Sequence, residues 1–175
     1  MAEESQVDRI IRLLNLQGKV KSGSDVLDDD KPRPKLSLKS LADNFETVFP
    51  RSIPIARNEI TELKEPNLKD RFVLFRFQVR SINRNVQYRV SMRVLRNKPG
   101  ERLRTNLPVE VKCDCPAFNF WLAHVLWKHG SHLGKPKSRI KPPPNIRNPR
   151  QVPTFCKHVF GVVRDLIRSG VIKVS

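Results

Sequence analysis

Three cysteines and seven glycines are few for 175 residues, and each scarcity removes a class of protein. Three cysteines cannot close a disulfide framework, so the thiols read as reduced and available to metal. With so little glycine there is no glycine-rich loop of the kind that cradles phosphates. No run of 18 apolar residues occurs, so no transmembrane helix is expected. The opening MAEESQVDRI lacks the apolar core of a secretory signal, so the chain is expected to be neither secreted nor membrane-bound. No internal repeat is present. Carboxylates are scarce in one half only. Residues 71–175 hold four (Glu101, Glu110, Asp114 and Asp165), with no pair of them placed for acid–base work and no serine or cysteine in a nucleophile motif. No enzyme and no small-molecule substrate are expected.

What is abundant is positive charge. The formal net charge is +17, and it is unevenly placed. Residues 1–70 carry 12 Lys/Arg against 13 Asp/Glu, whereas residues 71–175 carry 22 against four. A neutral front therefore precedes a strongly basic back, and the back calls for an acidic partner, either nucleic acid or the surfaces of neighbouring protein subunits. Fourteen prolines, twice the glycine count, make the connections stiff and extended.

Ser5 to Lys19 reads as a short amphipathic helix on Ile10, Ile11, Leu13, Leu14 and Leu16, with Gly18 at its end. Residues 21–35 form a polar linker with the triplet Asp28–Asp30 and alternating prolines. Leu36 to Phe49 reads as a second helix, with Ser37 as N-cap and Leu38, Leu41, Ala42, Phe45, Val48 and Phe49 as its apolar stripe. Residues 51–70 are weakly periodic and read as irregular. Strict alternation follows. Val73, Phe75, Phe77 and Val79 form one strand, Val86, Tyr88, Val90, Met92 and Val94 a second, and Leu107 to Cys113 a third. Pro116 opens a helix over Ala117–His129, ended by Gly130. Lys135–Pro153 is a basic proline-rich loop. Phe155–Ser169 is the last helix, with Thr154 as candidate N-cap and Gly170 as stop, and Val171–Val174 reads as a short closing strand.

The expected fold class is α+β: a three-stranded antiparallel meander plus two helices around a CxC/CxH site, preceded by an N-terminal helical arm. The expected organisation is an arm over 1–20, a linker over 21–35, a helix and irregular connection over 36–70, and a metal-binding domain over 71–175 with the basic insert 135–153.

All three cysteines fall in two short motifs, Cys113-Asp114-Cys115 at the end of the third strand and Cys156-Lys157-His158 at the start of the last helix. Three thiolates and one imidazole are a common tetrahedral zinc set, so one structural Zn2+ is expected on Cys113, Cys115, Cys156 and His158. Residues i and i+2 of a strand face one side, but their Cβ atoms lie roughly 6.5–7 Å apart. Sulfurs sharing a zinc must come within about 3.8 Å of each other. The strand must therefore break there, and Pro116 supplies the break. Cys156 and His158 converge only if Cys156 lies where the helix begins and His158 just inside it, where a helix N-terminus also favours a thiolate. His124, His129 and His132 lie between the two motifs and are rival ligands.

The words CDCPAF and FCKHVFGVV resemble the two halves of a SWIM-type zinc finger. The departure is the gap: 40 residues separate Cys115 from Cys156, longer than in typical SWIM domains. The longer pattern CDCPAFNFWLA…PPPNIRNPRQVPTFCKHV is similar to small virion proteins of tailed bacteriophages that carry such an expanded finger. The resemblance covers roughly residues 72–170. It implies a structural protein of the tail, baseplate or neck, located in the virion, whose partners are neighbouring subunits. SWIM fingers are also proposed to bind DNA or proteins, which implies nucleic acid as the alternative partner.

Two groups of cations would meet that partner. Arg76, Arg80, Arg89 and Arg93 share one strand face, a phosphate-tracking stripe or a solvated face. Lys135, Lys137, Arg139, Lys141, Arg147 and Arg150 lie along the proline-rich insert. Tyr88 belongs to the apolar register, so stacking aromatics on the cationic face are few.

Overall fold

The computed structural model describes residues 35–49, 55–81, 85–135 and 150–175. The expected N-terminal helix, all but the last residue of the linker, and most of the proline-rich insert, with Lys137, Arg139, Lys141 and Arg147, lie outside these residues.

The alternating stretches form an antiparallel sheet in the order β1-β2-β3-β4, with β1 Ile60–Lys64, β2 Phe72–Ser81, β3 Val86–Leu95 and β4 Val109–Cys113. The expected three-stranded meander is thus a four-stranded sheet. The added strand comes from residues read as irregular, because β1 is an edge strand in which only Ile60 and no later residue is even partly buried. The pairing places Val73, Phe75, Phe77 and Val79 of β2, Val90, Met92 and Val94 of β3, and Val109, Val111 and Cys113 of β4 on one buried face.

Helix α1, Leu38–Val48, begins as the sequence reading expects: the Ser37 hydroxyl accepts from the Ser40 N–H at 3.1 Å. Leu38, Leu41 and Phe45 enter the core. The chain entering α1 also bonds to β4, through Val109 N–H to the Leu36 carbonyl at 3.0 Å and Leu38 N–H to the Leu107 carbonyl at 3.1 Å. Residues 131–133 bond to the same edge, so β4 is covered and, among the described residues, β1 is the exposed edge. That edge is guarded by Glu62, Lys64 and a register shift between them.

After β4 the chain turns at Asp114 and runs helically from Pro116 to Lys128. Its middle, Phe118–Leu122, is a π-turn closed by Ala123 N–H on the Phe118 carbonyl, and it continues into α2, Ala123–Lys128. Phe118, Leu122, Val125 and Leu126 are buried, while Phe120 faces outward. Gly130, at φ 63°, ends the helix in the left-handed conformation glycine allows.

The last helix, α3, spans Lys157–Arg168 with Cys156 as its N-cap residue. The expected start at Phe155 with Thr154 as cap is corrected. The Thr154 hydroxyl donates instead to the Leu41 carbonyl at 3.0 Å, and Asn44 Nδ2 donates to the Pro153 carbonyl at 2.9 Å. Together they tie the approach to α3 onto α1, and Phe45 stacks on Phe160 at 4.1 Å between the two helices. Gly161 brings α3 against Ile55, since a Cβ there would stand 2.8 Å from the Ile55 Cβ. The expected closing strand reduces to one parallel bridge between Arg104 and Lys173.

Candidate metal centre

The register that pairs Val90 with Cys113 puts the last residue of β4 on the buried face, beneath the start of α3. The strand ends there. Asp114 N–H bonds to the Arg89 carbonyl at 3.1 Å, and Cys115 lies outside the ladder, so its sulfur swings back toward Cys113 before Pro116 starts the helix. From the other side, α1 and the tied segment 153–155 deliver Cys156 at the mouth of α3 and His158 in its first turn. One sulfur from each cysteine and one ring nitrogen of His158 all lie within 4.8 Å of one another. Residues 41 to 45 positions apart in sequence thus converge on one point. Their exposures run from 0% at Cys113 through 1% and 2% at Cys115 and Cys156 to 3% at His158.

The cluster fits a single metal ion on three grounds. First, both Nδ1 and Nε2 of His158 are buried with no hydrogen-bond partner. An orphaned buried polar atom costs about 1–3 kcal/mol, and a coordinated cation removes that cost at one nitrogen. Second, the thiols are poised unequally. Hydrogen bonds from Cys113 and Cys156 pull Cys115 down to about 2, while burial, with the neighbouring thiols adding to it, pushes Cys113 up. Burial likewise pushes Cys156 up. Burial thus works against charge on Cys113 and Cys156, and a cation among the three sulfurs would offset that penalty. Third, the Phe118 N–H donates to Cys115 Sγ at 3.3 Å, a contact that favours the charged form of that sulfur.

The three rival histidines are not brought to this point. His132 Nδ1 lies 2.7 Å from the Gly134 carbonyl, and its ring packs against Phe118 and Trp127. His124 and His129 do not join the cluster. The sequence reading missed Tyr88, whose ring centroid lies 4.8 Å from that of His158 and closes one side of the centre. The signal was available: Tyr88 is two residues from Val90, on the same face of β3 that pairs with Cys113.

The cationic face is more divided than the charge pattern suggests. Arg76, Arg80, Arg89 and Arg93 do share the open side of the sheet. Arg93, however, engages Glu110 through both Nε and Nη2, and Lys35 reaches the other Glu110 oxygen at 3.0 Å. Arg80 approaches Glu59 at 3.8 Å. Arg76 and Arg89 are exposed and have no ion pair among the described residues. Lys135 and Arg150 are exposed at the two ends of the insert.

No family model, no curated protein and no solved structure matches this chain. No helix among the described residues is long and apolar enough to cross a membrane.

Proposed function

We propose that this chain is a non-enzymatic structural protein stapled by one Zn2+ on Cys113, Cys115, Cys156 and His158, and that it acts as an assembly component binding acidic neighbouring subunits. The observation that carries the zinc reading is the unpartnered, buried His158 ring beside three convergent sulfurs. Three soft sulfurs and one imidazole within 4.8 Å of one another suit zinc. All four positions come from the protein, whereas a catalytic zinc keeps one for water or substrate. Three thiolates on Zn2+ leave a charge of about −1, and Lys112 and Lys157, each adjacent to a ligand, offset it.

The assembly reading rests on the resemblance to tailed-phage virion proteins, on the charge asymmetry and on the open cationic face. Its setting is the tail, baseplate or neck of the particle. A second reading, SWIM-type nucleic-acid binding through the same face and the basic insert, is favoured by the 22 cations of residues 71–175.

Elemental analysis of purified protein should return about one zinc per chain, and a Cys113→Ser variant that melts like the wild type would sink the zinc staple. Titration with duplex DNA across a salt series separates the two partner readings: phosphate contacts give a steep negative log–log slope, and a slope near zero removes the nucleic-acid reading. The assembly reading requires the chain to copurify with purified particles.

A further inference from the structure

The sheet register draws a line of side chains across the open face. Lys64, Arg76, Ser91 and Lys112 are successive partners from β1 to β4, so they stand side by side on one rung. At the roughly 4.8 Å spacing of paired strands the rung is about 14 Å long. Arg89 lies two residues from Ser91 along β3, on the same side of the sheet. Ser91 is therefore flanked by Arg76 on one neighbouring strand, by Lys112 on the other and by Arg89 on its own. Its hydroxyl makes no hydrogen bond among the described residues, and none of the three cations makes an ion pair among them.

Carboxylates do not balance this spot. Glu110, one rung along, is occupied by Arg93 and Lys35, and that trio keeps a net positive charge. Glu65 and Asp70 lie at the β1 margin beside Lys64, where charge is balanced. Asp114, bonded through its N–H to the Arg89 carbonyl, makes no ion pair with that arginine. The excess positive charge thus sits over β2, β3 and β4, with Ser91 at its centre.

Composition separates the two kinds of anionic partner. Protein interfaces have cores poor in charge and anchored by large aromatic side chains. The centre of this face is the reverse. The Ser91 rung holds three cations and a hydroxyl, and the rung beside it holds Thr61, Gln78 and Arg89. Leu74 enters only on the Glu110 rung, and Phe72 lies beyond it at the end of the sheet. Arg, Lys, Ser, Thr and Gln are side chains that contact phosphate. Neither of the two central rungs offers an aromatic ring for an unpaired base, which favours a duplex backbone over a single strand. The Ser91 rung spans the axial length of about four phosphates of one duplex strand.

We propose that the open face binds the phosphate backbone of double-stranded nucleic acid, with one phosphate seated over Ser91. The Ser91 hydroxyl donates to that phosphate, and Arg76, Arg89 and Lys112 surround it with charge. Contacts of this kind fix position and register without reading sequence. The proposal rests on the nucleic-acid reading above and assigns it a surface separate from the basic insert.

The test follows binding of the full chain to a labelled DNA duplex of about 20 base pairs by fluorescence anisotropy across a salt series. Arg76→Gln, Arg89→Gln and Lys112→Gln should each weaken binding about threefold to tenfold and flatten the log–log slope by about one. Ser91→Ala should weaken binding about threefold at unchanged slope, because it removes a hydrogen bond and no charge. Arg168→Gln removes an equal charge from α3, on the other side of the sheet, and should stay within about twofold of wild type. Circular dichroism checks that each variant is folded. If wild type binds with a steep slope and the three face variants respond no more than Arg168→Gln, the seat is wrong and the nucleic-acid reading survives on another surface. If Ser91→Ala binds like wild type, no phosphate is seated there. An oligo-aspartate peptide that binds more tightly than the duplex at equal salt, and is weakened by Arg76→Gln, overturns the proposal and gives the face to an acidic protein segment. A wild-type slope near zero is a different failure: it removes the nucleic-acid reading itself, and the seat with it.

Discussion

The two faces of the sheet are built from the same strands, residue by alternate residue, and they behave as different materials. On one face every inward side chain from Val73 to Val79 and from Val90 to Val94 is buried, and the helices and the Cys/His cluster close over them. On the other, Arg76, Arg80 and Arg89 stand exposed, and Glu110, the one deeply buried carboxylate among the described residues, is held by two cations. Identity is concentrated on the closed face, where substitution meets tight packing and committed ligands. On the open face charge can be rearranged at little cost to the fold, which suits it to the proposed role in recognition.

That contrast can be broken most forcefully at the metal. Cys156→Ser, or an excess of chelator applied to the wild type, should abolish the cooperative thermal transition followed by circular dichroism, because on the order of 10–16 kcal/mol of metal binding is lost from a small core. Acidification should act in the same direction. Protons compete with a metal for the thiolates, so metal release should rise as pH falls. Glu110→Gln comes next, at about 1–2 kcal/mol by urea denaturation, since it removes the anion shared by Arg93 and Lys35 while both cations keep partial access to water.

Gly161→Ala tests the packing of α3. The helix gains about 1 kcal/mol of propensity, but the new methyl meets the Ile55 Cβ, and overpacking costs about 1–3 kcal/mol. A net loss near 1 kcal/mol is expected, turning into a gain in the Ile55→Ala background, where the obstruction is gone. The smallest effect belongs to the open face: Arg89→Ser should move stability by no more than about 0.5 kcal/mol. A loss of several kcal/mol there would mean that the open face is structural after all.

The features that were legible in the sequence are those written locally. Alternation from Val73 to Val94 has a period of two and needs no partner to be seen. The CxC and CxH words carry their ligands within three residues each, and Pro116 marks the break that lets Cys113 and Cys115 converge. Ser37 is read correctly because a cap bonds within its own turn. The errors come from competition at a distance. Thr154 has ideal cap chemistry, yet its hydroxyl is claimed by Leu41, 113 positions away. β1 leaves no burial signature because an edge strand that buries one side chain in part looks like a loop. The arginine stripe reads as uniform because the pairing of Arg93 with Glu110 is a fact of strand register, and register is not visible along a single strand.

The depth of the ligand cluster also sets a clock. With four ligand residues at most 3% exposed and the Tyr88 ring against His158, no dissolved competitor can touch a bound ion while the mouth of α3 is shut. Departure then waits on a transient opening of that helix start, an event with its own rate. A chelator added in rising excess should strip the ion faster only up to a plateau, and the plateau is the opening rate itself. Residence time, more than affinity, then decides how long the chain stays loaded once it is diluted away from its source of metal.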